Sequence, residues 1–341
     1  MLTRRRFLGS TAAAACGIAG ASATRAFGQQ AKPAEYTLKW GHSMQLSHPL
    51  TIRGMEAADK IRQESGGRVD IKVFPDSQLG GDTDMASQVR SGVLEMYTPA
   101  ATSFAPLVPV VGIVNTAFAF KDSRQGWQAM DGDLGALIRQ GFGRINLHVF
   151  DRMWENGFRQ ITSATKPINA PDDLKGFKIR VPISPMLLSL FKSLGAAPTS
   201  MNVSELYSAL QTHIVDGQEN PLSVIATRNF NEVQRYCALT NHSWDTWIQV
   251  MNMNVWKKLP ADLQEIISRN MNAAALLQRE DIQKLDLTLR ASLEGKGMIF
   301  NSPDRAPFRE ALKKAGYYAE WQKVYGDVAW KALESAVGNL T

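Results

Sequence analysis

An arginine near the end of a short apolar segment is the first candidate for chemistry. In the segment 178–182, alternation puts Ile179 and Val181 on one face and Lys178 and Arg180 on the other. Ligands of open α/β sheets bind beyond the carboxyl ends of strands. A planar guanidinium also donates two parallel hydrogen bonds to a carboxylate. The pattern therefore predicts an anion site at Arg180; the alternative is a surface arginine with a solvated head.

Two polar segments could contribute to the same site. Residues 216–221 read Asp-Gly-Gln-Glu-Asn-Pro at an expected helix-to-loop turn, where Gly217 permits an unusual backbone angle. Such a loop can present Asn220 to a ligand, or its polar groups can satisfy one another. Arg159, in the segment 156–160, could be a second contact for the anion. Pairing with an acid is the equally compatible alternative for Arg159.

Two tryptophans close to the expected end of a strand could bind a ring. Trp244 and Trp247 flank Asp245, directly after 241–243. A tryptophan beside a cleft can stack on a sugar or an aromatic ring. We take Trp244 as a candidate ligand contact, with packing in the core as the alternative.

The sequence carries no recognisable catalytic, metal or phosphate motif. No His-Glu-x-x-His, Cys-x-x-Cys or Gly-Lys-Ser/Thr pattern is present, and 141–143 lacks the third glycine of a dinucleotide fingerprint. The run 189–192 matches Ser-x-x-Lys, but its partner motifs are missing. Cys237 lies in an apolar stretch typical of a small core residue. We predict a protein that is not an enzyme, with no cofactor and no metal.

Alternating strands and helices must position these residues. The predicted strands are 37–41, 69–74, 93–97, 146–150, 177–181 and 236–254, and the predicted helices are 49–64, 82–91, 122–142, 184–194, 203–212, 261–294 and 304–340. This rhythm indicates an α/β fold with helices covering both faces of its sheets. The helix 261–294 contains no Gly or Pro and would be about 50 Å long, so we expect it to span two domains.

The N-terminus indicates export. Residues 1–28 hold four arginines and no acid, with Arg4, Arg5 and Arg6 ahead of an uncharged stretch rich in Ala, Gly and Ser. This pattern is typical of a twin-arginine signal peptide, and we predict cleavage before Gln29 and a periplasmic protein. The alternatives are a buried helix and a lipid anchor at Cys16.

The composition of the rest of the chain argues against nucleic acid as a partner. Of 341 residues, 44% are apolar and 21% are charged, which is ordinary globular composition. The formal net charge is +6, but without the four arginines of the N-terminus it falls to +2. A chain so close to neutrality, with no basic cluster, lacks the positively charged surface that binds a polyanion such as nucleic acid.

Several segments together resemble the solute-binding proteins of tripartite ATP-independent periplasmic (TRAP) transporters, the DctP-like family. The most specific block reads Lys-Ile-Arg-Val-Pro at 178–182 and Gln-Glu-Asn-Pro at 218–221. The full set of matching segments is 77–82, 174–182, 194–199, 205–212, 215–221 and 240–242. The resemblance implies a two-lobed periplasmic binding protein with a hinge, a central ligand cleft and a long helix spanning both lobes. Its expected domains are the signal peptide 1–28, lobe I at 29–156 plus 246–285, and lobe II at 157–245 plus 286–341.

The resemblance also implies roles for individual residues. Arg180 is expected to pair with a substrate carboxylate, Asn220 to line the cleft and Arg159 to assist. From the first lobe, Asp82 and the residues around 42–48 would face the ligand. The implied ligand is a small carboxylate, left open here among a sugar acid, an aromatic acid and a dicarboxylate, for which Arg159 could supply a second cation.

The resemblance names partners as well. It implies delivery of the ligand to the integral membrane subunits of a TRAP transporter by a chain expected to be a monomer. Two alternatives stay open at this point. One is an exported enzyme built on the same scaffold, and the other is a ligand-binding partner of a membrane sensor.

Overall fold

The computed structural model describes residues 33–340, so the predicted signal segment, its cleavage before Gln29 and Cys16 lie outside the described residues. The strands are β1 Tyr36–His42, β2 Val69–Phe74, β3 Met96–Thr98, β4 Leu147–Val149, β5 Trp154–Ser163, β6 Lys178–Val181, β7 Ala197–Ser200, β8 Gly217–Asn220, β9 Tyr236–Trp247, β10 Val250–Asn252 and β11 Ile299–Asn301. The helices are α1 Pro49–Glu64, α2 Asp82–Ser91, α3 Ala101–Phe104, α4 Ser123–Asp131, α5 Asp133–Gly143, α6 Pro185–Ser193, α7 Val203–Gln211, α8 Leu222–Thr227, α9 Met253–Lys258, α10 Ala261–Gly295, α11 Ala306–Lys314 and α12 Tyr317–Val337.

These elements form two sheets. The first has the order β2-β1-β3-β10-β4, with β1 parallel to β2 and β3 and with β10 antiparallel to its neighbours. The second has the order β11-β9-β5-β8-β6-β7, with β6 parallel to β7 and β8, and with β5 antiparallel to β8 and β9. The prediction of an α/β fold is confirmed.

The long helix is confirmed and reaches both sheets. α10 runs for 35 residues. It contacts α1, which packs on the first sheet, and also β5 and α8 of the second-sheet region. Its Gln278 side chain is held by the backbone of β5, because its Oε1 accepts from Glu155 N and its Nε2 donates to Glu155 O, both at 2.8 Å.

Several elements have the bounds that the sequence predicted. α1, β2 and α2 have the predicted bounds. At the start of α1, the His48 ring accepts a hydrogen bond from Leu50 N at its Nδ1 (3.1 Å), and Pro49 occupies a first-turn position where no backbone donor is needed.

Two predicted helices are divided near a glycine, and two predicted strands are shorter than expected. The expected helix 122–142 divides at Gly132, and the expected helix 304–340 divides into α11 and α12, with Gly316 at a φ of +74° between them. Positive φ is a conformation that glycine adopts without a steric penalty. The expected strand 93–97 is reduced to β3, and the extended stretch 236–254 ends in α9.

Among residues 33–340, no helix combines the length and the apolar character that crossing a bilayer requires.

Candidate functional site

A small cavity lies where the parallel strands of both sheets end. Its volume is about 20 Å³, roughly the space that one water molecule needs. The loop after β1, the start of α2 and the segment after β3 line it from one side, and β5, β6, β8 and the end of β9 from the other. The lining residues are Ser43, Met44, Asp82, Ala100, Thr102, Ser103, Asn156, Arg159, Arg180, Pro182, Val203, Asn220 and Trp247.

Arg180 is buried, so the alternative of a solvated surface arginine is wrong. The residue is 2% exposed, whereas Lys178 on the same strand is exposed. Its Nε and Nη2 both donate to the carbonyl of Met201, at 3.1 and 2.7 Å, directly after β7. Its Nη1 is buried and has no hydrogen-bond partner within residues 33–340. Burial lowers the pKa of this guanidinium to about 9, which keeps it protonated at neutral pH.

Arg159 is equally buried, but each of its three nitrogens has a hydrogen-bond partner. Its Nη2 donates to Glu219 Oε1 and to the Glu219 carbonyl, both at 2.8 Å, and its Nε donates to Glu219 Oε2. Its Nη1 donates to Asp245 Oδ2 at 2.9 Å, and Nη2 also reaches Asn220 Oδ1 at 3.1 Å. Of the two open readings of Arg159, the structure shows the pairing with acids, at the edge of the same cavity.

The two acids around Arg159 respond differently to burial. For Glu219, burial acts to raise the pKa, but the Arg159 charge and a hydrogen bond with His242 Nε2 (3.1 Å) lower it overall. For Asp245, burial outweighs Arg159 and raises the pKa. Burial likewise lowers the pKa of the His242 imidazole. One guanidinium therefore compensates the buried Glu219 carboxyl group and only partly compensates that of Asp245.

Asn220 lines the cavity from a strand and not from a loop. β8 lies between β5 and β6, and all four of its residues are buried. Asn220 Oδ1 accepts from Arg159, and its Nδ2 donates to Gln218 Oε1 at 2.5 Å. The expected turn at 216–221 is wrong in its local structure, because the pairing with the two neighbouring strands extends the segment.

Asp82 faces the cavity from the opposite side. It is the first residue of α2, where an acid is favoured by the helix dipole. Its Oδ1 accepts from Tyr97 Oη at 2.9 Å, and its Oδ2 accepts from Ser103 Oγ at 3.5 Å. The structure thus brings Asp82, Arg159, Arg180 and Asn220 to one cavity.

Comparison with known proteins shows the family of this chain. The family described as bacterial extracellular solute-binding protein, family 7 (DctP), matches residues 40–323. The chain belongs to this family. It is 32% identical over 284 residues to the 2,3-diketo-L-gulonate-binding periplasmic protein of Escherichia coli, covering 82% of this chain and 85% of the relative.

Solved structures of TRAP periplasmic solute-binding proteins share the fold of this family member. A Sulfurospirillum deleyianum protein with bound succinate matches with a TM-score of 0.84 and 30% identity, over 89% of this chain and 99% of the other. The sugar acid binding protein of Advenella mimigardefordensis in complex with galactonate matches with a TM-score of 0.85 and 27% identity, over 91% and 99%. Membership in a family of solute-binding proteins confirms the prediction of a binding protein rather than an enzyme.

Trp244 lies outside the cavity of this solute-binding protein. Its indole Nε1 donates to Glu155 Oε1 at 2.9 Å, and its ring lies 5.2 Å from that of Phe120. Trp247, three residues further on β9, lines the cavity. Successive side chains of a strand alternate between its faces, so residues three apart point to opposite sides.

The Glu155 carboxyl group on the far side of β5 is also buried. It accepts hydrogen bonds from Trp244, from Ser123 Oγ (2.9 Å) and from Trp127 Nε1. These neutral donors only partly offset burial, which raises its pKa to about 7.

Sequence reasoning missed Asn156 as a cavity residue. β5 pairs Glu155 with Thr246 and Gly157 with Asp245, so Asn156 is an extra residue in a β-bulge. Gly157 has a φ of +109°, which a side chain would strain. Bulges redirect side chains at ligand sites. The Asn-Gly pair at 156–157 is the sequence signal that could have indicated it.

The expectation that the segment 42–48 faces the site holds for two of its residues. Ser43 and Met44 line the cavity, whereas His42 and His48 do not. His42 accepts the backbone N–H of Met44 at its Nδ1, as His48 does from Leu50. Burial lowers the pKa of each ring to about 3, so both are neutral at pH 7.

Proposed function

We propose that this protein captures a small organic carboxylate at Arg180 and delivers it to the membrane subunits of a TRAP transporter. The observation that carries the proposal is the Nη1 group of Arg180, a buried cationic donor without a partner in the described chain, on a side chain that lines the cavity. A ligand carboxylate would supply the missing partner in a geometry that favours a charge-assisted pair.

The electrostatics of the pocket favour an anion. Burial disfavours the charged form of Arg180 and lowers its pKa; the Glu219 and Asp82 charges offset this only in part, and the Arg159 charge adds to it. An incoming carboxylate relieves both penalties, because opposite charges attract more strongly where water is excluded. The relatives whose names include succinate, galactonate and 2,3-diketo-L-gulonate have carboxylate ligands in common, which supports the same class here.

Entry of such a ligand requires the walls of the cavity to separate, since about 20 Å³ does not hold an organic acid. We propose lobe I at 29–156 plus 246–285 and lobe II at 157–245 plus 286–341. Sheet membership supports this division, because the chain passes to the second sheet after Val149, back to the first after Trp247 and again to the second after Asn252. Hinges of this kind are formed by a few residues at the ends of elements.

Export is part of the proposal. The family is described as extracellular, and the Arg-rich N-terminus would direct the chain through the twin-arginine route to the periplasm, with 1–28 removed. There the protein would act as a monomer that meets its membrane subunits when a ligand is bound.

A thermal-shift screen of the purified protein against carboxylates and neutral sugars tests the proposal. A ligand at 100 times its Kd should add about 2.7 kcal/mol to the free energy of unfolding, a shift of several degrees. Arg180→Ala should abolish the shift, whereas Arg144→Ala, an exposed arginine beyond α5, should keep it. Wild-type affinity in Arg180→Ala would overturn the assignment.

A further inference from the structure

The polar atoms left unpaired around the cavity describe the chemistry of a complementary ligand. Three side chains that line it have buried polar atoms without partners in the described chain: Arg180 Nη1, Trp247 Nε1 and Asn156 Oδ1. The first two are donors and suit a carboxylate. The third is an acceptor, and a carboxylate has no hydrogen to give it. A ligand that satisfies all three atoms carries a donor as well as an anion.

The orientation of the Asn156 amide is fixed by its neighbours. Its Nδ2 donates to Asp245 Oδ2 at 3.0 Å. Asp245 also accepts from Arg159 Nη1 (2.9 Å), Asn115 Nδ2 (3.1 Å) and Thr246 N (2.9 Å), so its carboxyl group is surrounded by donors. Turning the amide over would place two acceptors against each other. The free atom of Asn156 is therefore its carbonyl oxygen, which requires a donor such as a hydroxyl group.

A second ligand carboxylate has no cation to meet it. Arg159 gives all three of its nitrogens to Glu219, Asp245 and Asn220.

Arg228, whose charge also reaches Arg180, donates to the Ser43 carbonyl and pairs with Asp76 at 3.7 Å. Its buried Nε has no partner in the described part of the chain, but Arg228 does not line the cavity. Within residues 33–340, Arg180 is thus the one cavity-lining cation that has a nitrogen without any hydrogen-bond partner.

Asp82 is the remaining ionisable residue in the cavity wall, and its negative charge disfavours a dicarboxylate. The Asp82 carboxyl group would repel a second ligand carboxylate, since juxtaposed like charges are strongly unfavourable. The same oxygens can accept hydrogen bonds from ligand hydroxyl groups. The hydroxyl groups of Ser43, Thr102 and Ser103, also in the wall, can both donate and accept.

From these contacts we infer that the ligand is a hydroxylated monocarboxylate, with Asn156 and Asp82 as the residues that select its hydroxyl groups. Arg180 takes the single carboxylate. Asn156 Oδ1 and Asp82 accept from the hydroxyl groups, and Asp82 excludes a dicarboxylate. The inference rests on the proposed function and narrows the ligand within it.

Calorimetry with a matched four-carbon series tests the inference. The probes are butyrate, succinate and erythronate (2,3,4-trihydroxybutyrate), which share a chain length and differ in a second carboxylate or in hydroxyl groups. We expect erythronate to bind at least tenfold more tightly than either of the others. A longer matched series of hexanoate, adipate and galactonate should show the same order.

Asp82→Asn should change the preference of the protein between succinate and erythronate, and not only its affinity for one of them. The substitution keeps the shape and removes the charge, so the affinity for succinate should rise by about tenfold or more while that for erythronate falls. The matched control is Asp84→Asn on the same helix, whose carboxylate caps Gly81 N and does not line the cavity. The control should leave the ratio of the two affinities unchanged.

Asn156→Ala should lower the affinity for erythronate by about tenfold and leave that for butyrate unchanged, because only the first ligand donates to the amide. Asn156→Ser, which retains a small acceptor, should recover part of the loss. A purely structural role for Asn156 would lower both affinities equally and would contradict the inference.

Failure of this inference can be distinguished from failure of the proposed function. Tighter binding of succinate or adipate than of the hydroxylated acids by the wild-type protein overturns the inference and leaves carboxylate binding intact. If no acid of either series binds, or if Arg180→Ala binds them as the wild-type protein does, the proposed function itself fails.

Discussion

Two buried arginines in one sheet, Arg180 on β6 and Arg159 on β5, have nearly the same exposure and very different surroundings. Arg180 is 2% exposed and Arg159 is 1% exposed. Arg159 meets two carboxylates, an amide and a backbone carbonyl, whereas Arg180 meets one carbonyl and keeps one nitrogen free. The comparison teaches that burial alone does not distinguish the two arginines; the unsatisfied donor of Arg180 does, and on it we base the proposed binding role.

The difference is also visible in the proton affinity of the two side chains. The neighbouring acids raise the pKa of Arg159 although burial lowers it, while burial lowers that of Arg180 to about 9. Arg159 is therefore compensated by the protein itself. In our proposal a ligand carboxylate compensates Arg180, so that the same residue type would serve folding at one position and recognition at the other.

The largest expected effect is on folding. Arg159→Met leaves Glu219 and Asp245 buried without their cation, which should lower the free energy of unfolding by about 3–5 kcal/mol. Urea denaturation of the ligand-free protein measures it. Arg269→Met, which removes an exposed pair with Glu64, is the matched control and should cause no measurable change. A loss below about 1 kcal/mol for Arg159→Met would contradict the role of Arg159 in stabilising the buried Glu219 and Asp245 carboxyl groups.

Arg180→Met should give the opposite pattern. The free energy of unfolding should change by less than about 1 kcal/mol, because a buried, incompletely paired cation is replaced by an apolar side chain. Affinity for the carboxylate should fall by about two to four decades, the cost of an unpaired buried charge. Arg180→Lys should also bind poorly, since lysine lacks the fork. Urea denaturation and calorimetry on the same samples separate the two readouts.

A third buried ionisable group, Glu155, should make stability depend on pH. Its pKa is raised from 4.5 to about 7 in the folded chain. The stabilisation is complete below pH 4.5, where both states are protonated, and is lost as the pH rises through about 7. The loss is about 3 kcal/mol.

In Glu155→Gln, the difference in the free energy of unfolding between pH 5 and pH 8 should shrink by about 2.5 kcal/mol, because the remainder of the loss already occurs below pH 5. Urea denaturation at the two pH values measures it, and an unaltered difference would refute the assignment to Glu155.

The smallest effect concerns Trp244. Trp244→Phe removes one hydrogen bond to Glu155 and should lower the free energy of unfolding by about 1 kcal/mol. Ligand affinity should stay within about twofold of wild type, because the ring lies outside the cavity. Trp247→Phe, which removes the indole donor of a cavity residue, should weaken binding instead. Equal losses of affinity in both variants would contradict the separation of the two faces of β9.

Many of the helices and strands could be predicted, because the sequence features that specify them lie within each element or directly beside it. Helix α1 has its histidine cap and proline at its start, and α10 has 35 residues whose sequence holds a single Gly, at the last position. Alternation along 177–181 placed Arg180 on the side opposite Ile179. The six matching segments, of which 178–182 and 218–221 belong to the most specific block, indicated the family and two residues of the candidate site, Arg180 and Asn220.

The sequence by itself determined the alternation of strands and helices, the long helix and the position of Arg180 at the end of a strand, since each depends on spacing within a few turns or residues. The tertiary structure decided how the strands assemble into two sheets, including β7, β8 and β11, which the spacing did not indicate. The tertiary structure alone decided that Arg159 is neutralised by Glu219 and Asp245, which lie 60 and 86 positions away along the chain. It also decided that a bulge places Asn156 at the cavity and that Trp247, not Trp244, lines it. The physical reason is that hydrogen-bond satisfaction is a property of a three-dimensional neighbourhood, and strand pairing, which local spacing does not specify, determines which neighbours meet.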